Sequence, residues 1–212
     1  GRYRWSRQYV EGTNVLQTTF STPDGRMRLT DLMPAPAQNG DSRVFPHRIL
    51  RKVECLEGQI ELSVNFSPSF DYARTPSRLE LHRRGAIAYG DEEALSLISP
   101  LRLHHQAESL ATRFRLTGSD THWFVLTHGP PADCQQAMQF SVEEAESEYR
   151  RTIDYWERWS GKCRYDGRYR DPVVRSALTL KLFEFQPTGG LIAAPTTSLP
   201  AEVGGSRNWD YR

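Results

Sequence analysis

Cysteine is scarce in this 212-residue chain. Cys55, Cys134 and Cys163 stand far apart in the sequence, and no C-x-x-C pair occurs. An odd number of cysteines at wide spacing excludes a disulfide framework. We expect reduced, packed thiols in a protein of a reducing compartment, here the cytoplasm. An export signal would have to lie upstream of Gly1.

The chain also lacks an excess of charge and any long hydrophobic run. Lys and Arg total 27 against 26 for Asp and Glu, so the formal net charge is only +1. This balance argues against a nucleic-acid-binding protein, which needs a basic surface. No apolar run approaches the roughly 18 residues that span a bilayer. With 38% hydrophobic residues and ordinary glycine and proline contents, the composition is typical of a globular core.

Residues 1–130 show short alternating runs and turns that are typical of antiparallel strands. The alternating run Val15–Phe20 is joined by the turn Thr22–Gly25 to a second run, Arg26–Met33. His47–Glu57 and Gln59–Phe66 predict another hairpin around Gly58. Its second arm places four apolar residues on one face: Ile60, Leu62, Val64 and Phe66. Further strands are predicted at Leu79–His82, Ala86–Tyr89, Leu95–Ile98, Leu110–Thr117 and Trp123–Thr127. The pattern favours an antiparallel sandwich over alternating strand–helix units.

A long amphipathic helix is predicted after Phe140. Ser141 and Glu144 form a Ser-x-x-Glu capping box, and Gly161 is a natural stop. Apolar residues then recur at spacings of three and four. Trp156 and Trp159 could stack on a sugar, but their helical spacing favours packing in a core or interface.

A second helix is predicted from Asp171 to about Phe185, with Asp171 as its cap and Pro187 as its stop. Its residues are apolar on most sides, which is typical of a helix buried between neighbours. The sequence after residue 186 offers almost no such neighbours. We therefore expect the chain to be a segment of a longer protein.

Residues 188–212 predict a long irregular loop that ends in aromatic and charged side chains. Arg207, Trp209, Asp210 and Tyr211 stand together near its end. Aromatic rings stack on sugar rings, and carboxylate and guanidinium groups bond to their hydroxyls. A buried Arg–Asp pair beside packed aromatics would have the same composition, so both interpretations remain open on composition alone.

The order of residues in Arg175–Arg212 resembles the start of the catalytic domain in family 15 glycoside hydrolases, which include glucoamylases, glucodextranases and bacterial trehalases. Thr18–Pro34 resembles part of the β-sandwich that precedes this domain, and the helix with Trp156 and Trp159 resembles the interdomain linker. The resemblance implies a mainly β chain with an antiparallel β-supersandwich (1–135), a linker helix (136–165) and the truncated start of an (α/α)6 barrel (166–212). The first residues of the family's sandwich are expected to be absent.

The same resemblance implies hydrolysis of α-glucosidic bonds, in trehalose or at α-glucan ends, with inversion. Inversion uses two carboxyl groups about 6.5–9.5 Å apart. In the family both are glutamates on later barrel loops, so we expect them beyond Arg212 and assign no catalytic residue within the chain. Tyr211 corresponds to an aromatic residue of the first glucose subsite, and Trp209, Asp210 and Arg207 correspond to its support. No cofactor is implied, and the expected partners are the α-glucoside and the rest of the barrel.

The remaining acidic and histidine residues predict no second site. Glu143, Glu144, Glu146 and Glu148 cluster at a helix start, which predicts a solvated face. His104 and His105 alternate along a strand and should point to opposite faces, so a shared metal ion is not expected. The sequence also lacks a GxSxG nucleophile motif.

Two alternatives to the hydrolase remain. The chain could be a non-catalytic module that binds glycan or packs on a barrel. It could instead belong to a related disaccharide phosphorylase, in which phosphate replaces water. The residues that distinguish hydrolase from phosphorylase are expected beyond Arg212, although the run Arg207–Arg212 favours the hydrolase.

Overall fold

Alternating apolar residues form antiparallel strands along the first 129 residues. The computed structural model describes residues 2–36, 47–185, 188–192 and 202–206. In these ranges the strands are β1 (Arg4–Tyr9), β2 (Leu16–Ser21), β3 (Gly25–Leu32), β4 (His47–Phe66), β5 (Arg78–His82), β6 (Gly85–Tyr89), β7 (Ala94–Ile98), β8 (His104–Gln106), β9 (Ser109–Thr117) and β10 (Thr121–Gly129). They are followed by the helices α1 (Pro131–Ala137), α2 (Val142–Ser160) and α3 (Arg170–Lys181) and by the strands β11 (Glu184–Phe185) and β12 (Gly190–Leu191). The mainly β, antiparallel prediction is confirmed.

Strand β4 belongs to two sheets. The main sheet has the strand order β1-β2-β3-β4-β10-β7-β6-β5. The first part of β4 lies in it between β3 and β10. Residues 59–66 of β4 pair instead with β9, which pairs with β8, and these strands make a smaller sheet. The two sheets meet through a shared apolar cluster and so form a sandwich.

The predicted hairpin at Gly58 is wrong, because β4 continues from His47 to Phe66 without reversing. Gly58 has a φ of +65° and lies against the turn between β2 and β3. A Cβ atom at this position would stand 2.2 Å from the carbonyl oxygen of Asp24. The glycine is therefore needed for a close backbone approach where β4 passes from one sheet to the other.

The central strands of the main sheet are covered on both faces. One face meets the small sheet in a cluster that includes the predicted inward-facing residues Ile60, Leu62, Val64 and Phe66. The other face supplies Leu50, Ile87, Trp123 and Val125 to a second cluster, together with residues of the three helices. Within the described ranges the chain thus forms three layers: small sheet, main sheet and helices.

Helix α2 agrees with its prediction. Ser141 Oγ accepts from the Glu144 backbone N–H at 3.1 Å, and the Glu144 carboxylate accepts from the Ser141 N–H at 2.6 Å, which completes the capping box. Trp156 is buried and Trp159 packs against the same cluster, so packing rather than sugar stacking is confirmed for the pair. No helix in the described ranges is long and apolar enough to cross a membrane.

Several elements differ from the predictions. The strands β1 and β8 are not predicted from the sequence, because all their residues are exposed and apolar and polar residues do not alternate along them. Helix α1 was also missed, since its seven residues are too few to show a helical period. Helix α3 begins at Arg170 without a side-chain cap and ends at Lys181, so the prediction of an Asp171 cap and an end near Phe185 is wrong. Residues 184–185 pair with β12 instead.

Candidate functional site

The predicted sugar-binding residues Arg207, Trp209, Asp210 and Tyr211 lie outside the residues that the structure describes. The prediction about them therefore stands as made. The element that leads toward them, α3, is described, and so are its contacts with the sandwich. The junction between α3 and the sandwich lies within the described residues.

Arg175 fixes α3 on the loop between β1 and β2. Its Nη1 donates to the carbonyl oxygen of Thr13 at 2.8 Å, and its Nη2 donates to Asn14 Oδ1. The guanidinium carbon also lies 4.1 Å from the ring centroid of Tyr9, which gives a cation–π contact. A guanidinium fork meets two acceptors at once, so it sets the rotation of the helix as well as its distance.

The β1–β2 loop also donates a hydrogen bond to α3. Asn14 Nδ2 donates to the carbonyl oxygen of Leu178 at 3.0 Å, one turn along α3. The loop is stiffened by Thr13, whose hydroxyl donates to the Val10 carbonyl at 2.8 Å and accepts from the Val15 N–H at 3.0 Å. Arg175 and Asn14 thus form a reciprocal clasp between α3 and the sandwich.

Helix α2 is attached to the main sheet by separate contacts. The hydroxyl of Thr152, buried within α2, accepts from the Ala35 backbone N–H at 2.9 Å just after β3. Arg84 donates to the carbonyl oxygen of Phe140 at 2.7 Å, immediately before the Ser141 cap. These bonds attach the start of α2 to the turn between β5 and β6 and its middle to the residue Ala35 that follows β3.

A second arginine supports the same corner. The guanidinium carbon of Arg48 lies 4.1 Å from the ring centroid of Phe140. Burial lowers the pKa of Arg48, and the carboxylates of Glu148 and Glu144 act in the opposite direction. Since a guanidinium stays charged throughout the ordinary pH range, the contact is a permanent one.

Several apolar side chains of α3 and of the residues just after it are exposed in the described structure. Leu178 is 2% exposed and packs on the sandwich, but Leu180 is 61% and Leu182 is 57% exposed. Val173 and Phe185 are exposed as well. We call these four exposed residues, Val173 and Leu180 on α3 and Leu182 and Phe185 just after it, the α3 apolar face. The sequence predicts a helix buried on most sides, whereas the described chain covers one side only.

The described carboxyl groups with shifted pKa values differ from a general acid. Hydrogen bonds from the Thr117 backbone N–H and hydroxyl lower the pKa of Asp120. Hydrogen bonds from its own backbone N–H and from the Ser141 hydroxyl lower the pKa of Glu143. A glycosidase acid needs a raised pKa. Asp120 and Glu143 therefore have structural roles, Asp120 in a turn and Glu143 at a helix start.

The acidic cluster of α2 is only half solvated. Glu143 and Glu144 are exposed, as predicted. Glu146 is half-buried and pairs with Arg150 at 3.3 Å and with Lys52 at 3.6 Å, and Glu148 pairs with Arg151 at 3.0 Å. The prediction of one solvated face is wrong for these two, because α2 turns them toward the sheet and its own basic residues.

Among the described residues there is no group of three or more His, Cys, Asp and Glu side chains that could hold a metal ion. His104 and His105 lie on β8, opposite Ala111 and Leu110 respectively. The cysteines Cys55, Cys134 and Cys163 are all unpaired. Burial raises the pKa of the Cys134 thiol, which donates to the Ala94 carbonyl at 3.2 Å. This thiol is a packing group and not a nucleophile.

Sequence reasoning did not anticipate an open cleft between the two sheets. Its volume is about 1070 Å³, and its walls are the inner faces of both sheets. Half-buried apolar residues line it, among them Phe20, Leu29, Phe114 and Leu126. The sequence does show apolar residues on these strand faces. Whether two such faces pack tightly or leave a cleft depends on the three-dimensional arrangement of the sheets.

Residues 2–112 match the family model described as "Trehalase-like, N-terminal". The whole chain is also similar to curated proteins. It is 33% identical over 206 residues to a trehalase of Thermoplasma volcanium, covering 96% of this chain and 32% of that protein. It is 33% identical over 231 residues to a trehalase of Mycolicibacterium smegmatis, covering 98% of this chain and 33% of that protein. The chain thus spans about a third of the length of the curated relatives it matches.

Proposed function

Because this chain belongs to the trehalase-like N-terminal family of the family 15 glycoside hydrolase type, we propose that it forms the sandwich and first barrel helix of an enzyme that hydrolyses trehalose. The observation that carries this proposal is the similarity to proteins named trehalase, which extends over 96% of the chain and not over the sandwich alone.

The reaction proposed is an inverting hydrolysis by one general acid and one general base. Both carboxyl groups are proposed to lie on barrel loops outside this chain. Tyr211 is proposed to line the first glucose subsite, with Trp209, Asp210 and Arg207 as its support. The division into residues 1–135, 136–165 and 166–212 is part of the same proposal.

The α3 apolar face supports an assembly role for the C-terminal part of the chain. Four exposed apolar side chains, on α3 and on the residues just after it, cost free energy in water. We propose that further helices of the barrel cover them. The Arg175–Asn14 clasp then sets the position of the barrel relative to the sandwich, because it fixes both the rotation of α3 and its distance from the sandwich.

The experiment is an NMR assay of the longest protein that the gene encodes, with trehalose as substrate. Inversion releases one glucose as the β-anomer and the other as the α-anomer, so the first spectra should show them in equal amounts. Initial release of α-glucose alone would overturn inversion, and no glucose from any α-glucoside would overturn the hydrolase. Turnover that requires inorganic phosphate and yields a glucose phosphate would identify the phosphorylase instead. The 212-residue chain alone is expected to give no glucose.

A further inference from the structure

The loop between β4 and β5 contains an unusual left-handed turn. Three successive residues other than glycine have positive φ angles: Asp71 at 44°, Tyr72 at 55° and Ala73 at 64°. For residues with a Cβ atom this conformation is unfavourable, because the Cβ crowds the backbone carbonyl oxygen. Several such residues in a row persist only where the surrounding structure imposes them.

The base of the loop imposes the turn. Phe70 is 3% exposed and belongs to the inter-sheet core, and it pairs with Thr75 across the turn. The hydroxyl of Ser77 donates to the Pro68 carbonyl at 2.8 Å, which ties the two sides of the loop together. Gly90 leaves room for the Phe70 ring, since a Cβ there would stand 2.9 Å from it. Both ends of the turn are therefore anchored.

The tip of the turn carries an aromatic ring in the open. Tyr72 is 89% exposed, and the guanidinium carbon of Arg74 lies 5.5 Å from its ring centroid. Arg74 Nε stands 3.8 Å from Asp71 Oδ2, and the Arg74 backbone N–H donates to the Asp71 carbonyl at 3.0 Å. The strained backbone thus holds an aromatic ring, a guanidinium and a carboxylate side by side. None of the three contributes to the core.

The geometry points to a sugar-binding tip formed by Asp71, Tyr72 and Arg74, with the glucosyl unit of an α-glucoside as its ligand. The Tyr72 ring offers a flat face for the C–H groups of a pyranose. The Asp71 carboxylate and the Arg74 guanidinium can accept from and donate to vicinal hydroxyl groups. The choice of glucose rests on the proposed function, whereas the site itself rests on the turn.

The inference is tested in the longest protein that the gene encodes, with a sulfur-linked trehalose analogue that resists hydrolysis. Its dissociation constant is measured by saturation-transfer NMR. Tyr72→Ala is expected to weaken binding about tenfold, the loss of one aromatic stack. Tyr72→Phe keeps the ring and should bind nearly as the parent protein does. Because Tyr72 is exposed, both variants should keep the parent thermal midpoint.

Tyr169→Ala is the matched control, since Tyr169 is also exposed and has Arg168 at 5.6 Å from its ring centroid. It should bind the analogue as the parent protein does. Equal affinity of Tyr72→Ala and the parent protein, or an equal loss in Tyr169→Ala, would overturn the inference.

A parallel trehalose assay separates the two proposals. If the parent protein hydrolyses trehalose but Tyr72→Ala binds the analogue as tightly as the parent protein does, the sugar-binding tip fails and the hydrolase stands. If the parent protein hydrolyses no α-glucoside yet Tyr72→Ala alone weakens binding of the analogue, the hydrolase fails and the tip stands.

Discussion

Arg175 carries more of the structure than its place on a helix surface suggests. Its guanidinium bonds to Thr13 and Asn14 and stacks on Tyr9, so one side chain joins α3 to β1 and to the loop that follows it. Such a role cannot be predicted from the sequence pattern, because an arginine at a polar helix position looks the same in the sequence whether or not its side chain bonds to a distant segment.

Arg175→Ala is expected to lower the free energy of unfolding by about 2 kcal/mol, the value of charge-assisted hydrogen bonds lost at a half-buried site. Arg175→Lys keeps the charge but lacks the planar fork, so it should recover only part of the loss. Urea denaturation measures both. Arg164→Ala, at an exposed position, is the control and should stay within about 0.5 kcal/mol of the parent chain. Equal effects at 164 and 175 would contradict the role of the clasp.

The lowered pKa of Asp120, in the turn between β9 and β10, predicts that the stability of the folded chain depends on pH. Its pKa is lowered in the folded chain, so its contribution to stability is present above the ordinary aspartate pKa of about 4 and is lost as the pH falls through the folded value. Asp120→Asn should therefore lower the denaturation midpoint at pH 7, and the difference should shrink in acid. Thr117→Val removes only the hydroxyl donor and should give a smaller shift of the same sign. A difference that grows in acid would be contrary to this account.

At the scale of elements, the predictions succeeded where apolar side chains recur at a regular spacing and are at least half-buried, and failed where they are exposed or too few. Strands β2, β3, β9 and β10 and helix α2 agree with their patterns because their apolar side chains recur at a regular spacing and are buried or half-buried. Strand β1 is exposed on both faces and gives no pattern. Gly58 was misread because glycine serves equally in a turn and in a close approach, and only the neighbouring Asp24 backbone distinguishes the two.

Glycine also decides how β6 begins. Gly85 has a φ of +140°, and a Cβ atom there would stand 1.9 Å from the Leu97 carbonyl oxygen on β7. Gly85→Ala should cost about 3 kcal/mol or more, since both the backbone angle and the strand pairing oppose it. Gly118→Ala is the matched control: its φ is +58° with nothing within 4 Å, so only the angle opposes it and about 1–2 kcal/mol is expected. Thermal denaturation compares them, and a smaller loss at Gly85 would disagree with the strand contact.

At the scale of the whole molecule, the central strands of the main sheet are covered on both faces, whereas the described residues cover only one side of α3 in the helical layer. Helices α1, α2 and α3 protect the sheet, but the α3 apolar face has no partner among the described residues. The exposed side of α3 is the place where we propose that the barrel packs.

Leu180→Arg and Leu182→Arg should leave the thermal midpoint of the 212-residue chain unchanged, because both side chains are exposed there. In the longest protein that the gene encodes, the same changes should lower the midpoint and the trehalase activity, since a charge would then enter a buried interface. Leu81→Arg, at an exposed position of β5, is the control and should change neither protein. If Leu180→Arg were harmless in the longer protein as well, the α3 apolar face would not be an interface.

Local patterns in the sequence were enough to predict the class of the fold, the limits of α2 and the inward face of the small sheet. These follow from local periodicity and capping, which act between residues a few positions apart. The tertiary structure alone decided the sharing of β4 between two sheets, the clasp of Arg175 with Asn14 and the display of Tyr72 on a strained turn. Each of these depends on residues far apart in the chain, whose approach is set by packing and not by local preference.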